Sequence, residues 1–346
     1  MTRGWTPQRI ATRAALLLAT GVSLYLLLPS LVAVFGSWQE LFELEPLWFA
    51  IALGFEALSF VAVWALQRIA LGAPSWFAVG TSQLAANALG RIVPGGMAAA
   101  GALQYRMLVR AGVPPGRVGS ALTATSALIF AGLLALPLLA VPAIAAGTPV
   151  AHRLLHALWI GGVVFLLMLV AGSVGFAFDK PLGLVGDAVD WSLRRIGRPR
   201  SGPPLGELVL HEREQIRRTV GGRWKMALTA SVGKSLFDYL ALVATLFAVD
   251  ASPDPALVLL AYVTGSLLGM VPLTPGGLGF VEAGLTGTLV LAGVDAGAAA
   301  AATLAYRLAS FWLPIPAGAV GYWLFGRRLK AAPAPGPPAV PPRPPA

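Results

Sequence analysis

Charged side chains inside apolar segments are the groups of this chain that could do chemistry. A charge at the centre of a membrane costs at least about 2.5 kcal/mol on insertion scales, so each such residue is a functional candidate. Arg91 precedes the sequence Pro94-Gly95-Gly96 by three residues, and Glu282 follows a second Pro275-Gly276-Gly277 by five residues. The candidates are Glu56, Arg91, Lys234, Asp238, Glu282 and Arg307, with the polar residues Asn87 and Tyr306 near them.

Both Pro-Gly-Gly sequences break a helix, and a new helix starts after each break. The first turn of a helix presents N–H groups without an intrahelical partner at the positive end of the helix dipole. Glycine lets a ligand approach the backbone closely, and arginine binds phosphate through two parallel hydrogen bonds. The pattern therefore predicts a site for a phosphate headgroup. Its residues are Arg91, Gly95, Gly96, Gly276, Gly277, Glu282 and Arg307.

Several of these charges also have a purely structural interpretation. Lys234 and Asp238 are one helical turn apart, which allows an ion pair within a single helix. Glu56 can pair with an arginine of another helix, and Glu282 can pair with Arg307. A pair can be structural and still open when a ligand arrives, so the sequence leaves both roles open.

The chain lacks the residue patterns of common catalytic sites. It has no cysteine, and its histidines at 152 and 156 have no carboxylate at ligand spacing. It also has no Ser/His/Asp set, no phosphate-binding P-loop and no dinucleotide-binding glycine pattern. We therefore expect no enzyme activity, no metal ion and no cofactor.

The composition indicates an integral membrane protein. Hydrophobic residues make up 57% of the 346 residues, and charged residues make up 12%, about half of the share in soluble domains. A soluble fold cannot bury that much apolar surface, because folding a chain of about 300 residues leaves about a quarter of the surface exposed. The net charge of +10 lies in short stretches between apolar segments, which is typical of cytoplasmic loops and argues against nucleic-acid binding.

Six apolar segments are long enough to cross a hydrocarbon core about 30 Å thick. They are 12–35, 47–70, 118–141, 156–178, 226–249 and 298–325. Two further regions, 76–109 and 257–293, are each divided by a Pro-Gly-Gly sequence into arms too short for an untilted crossing. We predict an all-α polytopic membrane protein with six crossing helices and two broken re-entrant hairpins. Two short tilted spans in place of each hairpin, giving eight or more spans, are the alternative.

The basic residues predict the orientation of the chain. With the N-terminus inside, the cytoplasmic segments hold 20 of the 25 lysines and arginines, and the outer loops carry acidic residues instead. Lysine and arginine concentrate on the cytoplasmic side of membrane proteins. We therefore predict a multi-pass protein of the cell membrane with both termini in the cytoplasm.

The two Pro-Gly-Gly sequences belong to a longer internal repeat. Residues 94–123 match residues 275–304 at an offset of 181, and the same offset places span 47–70 on 226–249. Each half then has three crossings and one hairpin, and an odd number of crossings inverts the second half. An old duplication kept only for packing is the alternative.

We predict one membrane domain over 1–330, with inverted repeats at about 12–141 and 156–325, a basic cytoplasmic loop 179–225 and a disordered proline-rich tail 331–346.

The second hairpin also carries a recognisable motif. Val271–Glu282, followed by Gly293-Val294 and Ala305-Tyr306-Arg307, resembles the lysylphosphatidylglycerol synthase transmembrane-region family, whose members are flippase-like membrane proteins. Asn87–Gly96 also looks like members of this family. The resemblance covers about residues 10–328. In full-length synthases a soluble aminoacyl-transferase domain follows, whereas only the proline-rich tail follows here, so the resemblance implies lipid translocation without lipid aminoacylation.

Together these features predict a lipid flippase that moves an anionic phospholipid or polyprenyl-phosphate lipid across the cytoplasmic membrane. Its expected partners are anionic membrane lipids, and the sequence leaves open whether copies of the chain form a homo-oligomer. One alternative is a non-transporting membrane scaffold or accessory protein of envelope-lipid synthesis. Another alternative is a membrane-embedded enzyme that modifies lipids.

Overall fold

The structure, a computed structural model, is helical. It describes residues 45–93, 96–142, 179–195, 221–269 and 274–331, with scattered residues between 159 and 214. These described residues contain no β-strand. Within the described ranges, four helices are long and apolar enough to cross a membrane, and shorter apolar helices lie between them. The prediction of an all-α polytopic membrane protein is thereby confirmed.

The described helices are numbered in chain order. They are α1 (Pro46–Ala70), α2 (Trp76–Ile92), α3 (Gly96–Arg110), α4 (Pro115–Ala135), α5 (Asp179–Arg195), α6 (Trp224–Ala248), α7 (Pro255–Leu268), α8 (Phe280–Leu291), α9 (Ala296–Arg307) and α10 (Pro314–Ala331). A 3₁₀ turn at Leu136–Ala140 extends α4, and a π-helical turn at Leu308–Trp312 joins α9 to α10.

Four of the six predicted spans are found as long apolar helices. They correspond to α1, to α4 with its 3₁₀ turn, to α6 and to α9 with α10. Span 12–35, nearly all of span 156–178 and the tail after Ala331 lie outside the described residues. The predicted loop 179–225 contains α5, a helix that the sequence did not predict.

Helices α1 and α6 pack against each other along their length and run antiparallel. At one end the Glu45 N–H donates to the Ala248 carbonyl (3.1 Å), and at the other end Leu66 and Ala227 share an apolar cluster. Pro46 suits the start of α1, because its fixed φ matches a helix and the first turn does not need its missing N–H. The middle of α1 therefore lies against the middle of α6.

The regions on either side of the two breaks form antiparallel helix hairpins. In α2–α3, Gly90 lies so close to Gly96 that a Cβ at Gly96 would collide with the Gly90 carbonyl. In α7–α8, a Cβ at Gly269 would lie 3.1 Å from Val281. The arms have 17 and 15 residues in the first hairpin and 14 and 12 in the second, fewer than the roughly 20 that cross a bilayer. Each hairpin therefore begins and ends at the same end of the bundle.

Helix contacts in the two halves correspond at the offset of 181 residues. Helix α2 packs on α10, and its counterpart α7 packs on the 3₁₀ turn after α4. Helix α1 packs on α4, as α6 packs on α9. An inverted repeat requires paired contacts of this kind, and the repeat itself stays a prediction.

The two ends of the bundle carry opposite charges. At one end Arg68 donates to the Pro74 carbonyl (2.8 Å) in the loop between α1 and α2. Further arginines at this end are Arg110, Arg117, Arg327 and Arg328. At the other end Asp254 and Asp295 accept N–H bonds (2.7 and 2.9 Å) at the starts of α7 and α9. The basic end is the one that the sequence predicts to be cytoplasmic.

This charge distribution predicts which loops are reached from outside the cell. The chain has no cysteine, so a single cysteine can be labelled without background. We expect Ser252→Cys, at the acidic end, to react with a membrane-impermeant maleimide on intact cells. We expect Ala111→Cys, at the basic end, to react only after permeabilisation. Labelling of Ala111→Cys on intact cells would reverse the predicted orientation.

The short hairpin arms predict that the tips lie within the membrane. Met97 is 72% exposed beside the first tip, so it suits a labelling test. In a re-entrant hairpin, Met97→Cys should react slowly with the impermeant maleimide from either side, because the reagent does not enter the membrane and the thiol does not readily ionise there. Ser252→Cys is the control for a surface loop. Reaction of Met97→Cys at the rate of that control would favour full spans joined by an ordinary loop.

Candidate functional site

The tip of the second hairpin meets α9 at Arg307. The Arg307 Nε donates to Glu282 Oε1 (2.7 Å), and Nη2 donates to the Gly276 carbonyl (3.3 Å). The guanidinium also lies 4.1 Å from the centre of the Phe311 ring. Because Arg307 is only 7% exposed, these contacts compensate its charge within the protein.

Arg91, near the end of α2, approaches the same aromatic ring. Its guanidinium lies 5.0 Å from the centre of Phe311 and donates to the Ser310 carbonyl. Pro314 explains why that carbonyl is available, because proline has no N–H to donate to the residue four positions earlier. A π-helical turn, Leu308–Trp312, lies directly before this break. A proline in α10 thus creates a backbone acceptor for an arginine of the first hairpin.

Glu282 occupies the start of α8. Its Oε2 accepts the N–H of Gly279 (2.7 Å), while Oε1 accepts from Arg307. A carboxylate at a helix N-terminus interacts favourably with the helix dipole. The helix start that the sequence predicted as a phosphate site at this tip therefore holds a carboxylate of the chain itself.

The second tip depends on glycine for its shape. Gly276, Gly277 and Gly279 have φ values of 57°, 71° and 81°, a region that other residues rarely adopt. A Cβ at Gly276 would also collide with the Phe311 ring, and a Cβ at Gly277 would lie 2.8 Å from Val281. Glycine at these positions therefore brings the tip backbone against the ring that both arginines contact.

Asp238 is the centre of a second polar cluster, on α6. Its Oδ2 accepts hydrogen bonds from Lys234 Nζ (2.8 Å) and the Tyr262 hydroxyl (2.9 Å). Its Oδ1 accepts from the Tyr306 hydroxyl (2.9 Å). The ion pair within one helix that the sequence allowed is therefore present, and the tyrosines connect it to α7 and α9.

Glu56 faces this cluster from α1. It interacts directly with Asp238 and is 7% exposed. Its Oε2 has no hydrogen-bond partner among the described residues, and neither does Oδ1 of Asn87 on α2. Buried polar atoms usually have partners, so these two oxygens mark a place where a ligand or solvent can bind.

Two adjoining cavities connect the tips with the carboxylate cluster. One of about 470 Å³ lies between the hairpins, and one of about 190 Å³ lies beside Glu56. Both are lined by Asn87, Arg91, Lys234, Tyr306 and Arg307. Exposed Met97 also lines the larger cavity, which therefore opens to the outside of the bundle beside the first tip. That volume is in the range of small-molecule pockets and suits a headgroup rather than a whole lipid.

The structure brings most of the predicted site residues together around these cavities. At the tips are Arg91, Gly276, Gly277, Glu282 and Arg307, and in the adjoining cluster are Glu56, Asn87, Lys234, Asp238 and Tyr306. Gly96 packs against Gly90 at the first tip, and Gly95 lies outside the described residues. Among the described residues, no group of three His, Cys, Asp or Glu side chains is placed to hold a metal ion.

Three residues of the site were not found from the sequence. Phe311 lies one helical turn after Arg307, and this spacing is the signal for their contact. Ser310 lies four residues before Pro314, which marks its carbonyl as free. Tyr262 lies in an apolar helix, and no sequence signal connects it to Asp238.

Comparison with known proteins gives one family and two partial relatives. The family model described as the lysylphosphatidylglycerol synthase TM region matches residues 14–318. Two matches are to proteins named UPF0104 membrane protein from Methanothermobacter thermautotrophicus strain Delta H, with 30% identity over 99 residues and 38% over 87. They cover 29% and 25% of this chain and 28% and 25% of the relatives. The chain thus spans about a quarter of the length of the curated relatives it matches.

The crowding at the second tip predicts a strong effect of a single methyl group. Gly276→Ala adds a collision with Phe311 to the roughly 1–2 kcal/mol cost of a left-handed backbone. Gly293→Ala is the matched control, because Gly293 has φ +91° and open space around it. We expect Gly276→Ala to lower the melting temperature in detergent more than Gly293→Ala does. An equal decrease in melting temperature for the two variants would show that the tip does not pack on Phe311.

Proposed function

The chain belongs to the lysylphosphatidylglycerol synthase transmembrane-region family, and we propose that it is a flippase for an anionic phospholipid or polyprenyl-phosphate lipid of the cell membrane. Membership of the family supports the coarser role of a membrane protein in lipid metabolism. The observation that carries the finer proposal is the position of two arginines. Arg91 and Arg307 both contact Phe311 where the second hairpin tip meets α9, and both line the cavity of about 470 Å³.

The two arginines suit a lipid phosphate in both charge and geometry. A guanidinium has five N–H donors in a planar fork that matches two phosphate oxygens. Arg91 and Arg307 use only some of these donors in the contacts described above. Because an unpaired phosphate is very costly away from water, two cations at one cavity provide the compensation that an anionic headgroup needs there.

Glu282 acts in this proposal as the counter-ion of the empty site. It holds Arg307 through Oε1 and the start of α8 through Oε2. A phosphate arriving at Arg307 replaces one carboxylate contact, while the N–H of Gly279 continues to hold Glu282 near its position. Binding of the headgroup is then an exchange of anions on Arg307, and no cation is left alone in the interior.

The shape of the larger cavity supports a headgroup inside and acyl chains outside. Arg91 and Arg307 lie in its wall together with apolar residues such as Leu133 and Leu285. The opening at Met97 lies beside a hairpin tip that we propose to be within the membrane. Lipid chains can then stay in the hydrocarbon core while the headgroup enters from the side.

The proposed transport cycle uses the two halves of the chain. We assign α2–α3 and α7–α8 as re-entrant hairpins of an inverted repeat, with the site between them. In transporters built from inverted repeats, movement of one half against the other exposes a fixed midplane site to each side in turn. Paired contacts such as α1 with α4 and α6 with α9 support two halves that can exchange conformations.

Reconstitution into liposomes tests the function directly. We expect the protein to speed the transbilayer movement of fluorescent phosphatidylglycerol or a polyprenyl phosphate more than that of phosphatidylcholine. Absence of movement for every lipid, together with normal folding, would favour a scaffold. Chemical conversion of the lipid, read by mass spectrometry of the same vesicles, would favour an enzyme.

Substitution of the arginines tests the site itself. Arg91→Lys and Arg307→Lys keep the charge but lose the planar fork, so each should lower the movement of anionic lipid about tenfold to a hundredfold. Glu282→Gln should also impair movement, because it removes the anion that holds Arg307 when the site is empty. Transbilayer movement and melting temperature are measured together for every variant.

Arg328→Lys is the matched control for these variants. Arg328 also lies over an aromatic ring, 4.5 Å from the centre of Phe77, but at the basic end of the bundle. It should leave lipid movement unchanged. Wild-type movement in all three site variants would contradict the site, whereas lost movement with a collapsed melting temperature would assign the charges a structural role.

A further inference from the structure

Glu56 is a buried carboxyl group with an oxygen that no described residue satisfies. Its side chain is 7% exposed and lines the cavity of about 190 Å³, and its Oε2 has no hydrogen-bond partner among the described residues. Asn87 lines the same cavity, and its Oδ1 also has no hydrogen-bond partner among the described residues. An unsatisfied buried polar atom is costly, so a proton or another positive species bound here would be stabilised.

The charged and titratable groups around Glu56 come from every helix that lines its cavity. Helix α6 contributes Lys234 and Asp238, α2 contributes Arg91, and α9 contributes Tyr306 and Arg307. Two adjoining ionised carboxylates repel each other, so the negative charge of one favours protonation of the other. The pair formed by Glu56 and Asp238 therefore has a place for one proton.

Of the carboxylates at the site, Glu56 is the one that can be protonated without breaking a described hydrogen bond. Asp238 accepts bonds from Lys234 and two tyrosine hydroxyls through both of its oxygens. Glu282 likewise uses both oxygens, on Gly279 and Arg307. Glu56, in contrast, has an oxygen, Oε2, that has no hydrogen-bond partner among the described residues.

The formal charges of the site balance without lipid when all of its acidic and basic groups are ionised. Among the described residues that line the cavities or pair with their lining, the cations are Arg91, Lys234 and Arg307, and the acidic groups are Glu56, Asp238 and Glu282. A lipid phosphate with one negative charge leaves one negative charge in excess, and one proton restores neutrality. Since excess charge is costly in this apolar setting, phosphate and proton favour each other.

We propose that Glu56 is a proton-binding site whose protonation is linked to binding of the anionic headgroup. The inference rests on the proposed function and adds the coupling to it. One proton from water bonds to Oε2 of Glu56 as one headgroup binds at Arg91 and Arg307, and the proton leaves when the headgroup leaves. Lipid and proton then cross together without net charge, so a pH difference drives movement and a membrane potential alone does not.

The linkage has a definite sign in a binding experiment. The lipid-bound form holds more protons than the empty form, so binding strengthens as pH falls, by up to about tenfold per pH unit for one linked proton. The probe is fluorescent phosphatidylglycerol, titrated onto the full chain in nanodiscs of phosphatidylcholine. In weak buffer with a pH indicator, the protein should take up about one proton for each probe molecule that binds.

Glu56→Gln mimics the protonated state and should remove the pH dependence, with affinity held near the low-pH value of the wild type. Asp295→Asn, at the capped start of α9, is the control carboxylate and should keep the wild-type slope. Glu56→Asp keeps a titratable group and should keep a slope as well. If Glu56→Gln lowers the melting temperature so far that it cannot be used, the proton count of the wild type decides.

The possible outcomes separate the coupling from the function. Binding and movement of anionic lipid without pH dependence or proton uptake would overturn the coupling and leave the flippase intact. No binding of the probe at any pH would contradict both. The last outcome comes from repeating the binding titration with choline in place of sodium. If lipid binding depends on sodium and not on protons, the cavity binds a metal cation and the proton site is overturned.

Discussion

Pairing of charges away from water is the constraint on which the interior of this bundle depends. Asp238 receives donors from three helices: Lys234 on α6, Tyr262 on α7 and Tyr306 on α9. Removal of one partner from a buried charge costs several kcal/mol, so these contacts oppose any shift of one helix against the others. The apolar residues of α7 fit many neighbours, whereas the Tyr262 hydroxyl has to reach Asp238. Packing area holds the helices together, and the charged cluster fixes their positions.

The helix breaks supply the second set of partners. A regular helix uses nearly all of its own carbonyl groups, so it offers a buried arginine few acceptors. Pro314 frees the Ser310 carbonyl for Arg91, and the Gly276 carbonyl at the second tip accepts from Arg307. Irregular backbone at membrane depth is tolerated only where protein or a cavity satisfies it. Here the arginines satisfy the broken backbone, and the broken backbone compensates the arginines.

The sequence predicts the elements and the candidate charges and allows the ion pairs Lys234–Asp238 and Glu282–Arg307, but it does not predict the other hydrogen-bond partners of these charges. Long apolar runs define α1 and α6, and Pro-Gly-Gly marks the tips, because both signals are local. The partners of each charge depend on how helices meet, and α7 is apolar all round, so its sequence does not single out the face that carries Tyr262. The hydrogen bond from the Gly279 N–H to Glu282 needs the tip conformation, which three left-handed glycines set. Pro314 is visible in the sequence, yet the arginine that uses the freed carbonyl lies on another helix.

The carboxylate of Glu282, which pairs with Arg307, can help the proposed flippase to release its lipid. A flippase has to release its lipid, so a site that binds phosphate with two uncompensated arginines would hold it too tightly. Glu282 competes for Arg307 and is kept close by its bond to the Gly279 N–H (2.7 Å). Its carboxylate can therefore return as soon as the phosphate begins to leave, and the release step does not expose a bare cation to an apolar environment. Conduction through ion filters follows the same rule, since binding must be strong enough for entry and weak enough for exit. Proton loss from Glu56 would act in the same direction, because it restores the charge balance of the empty site.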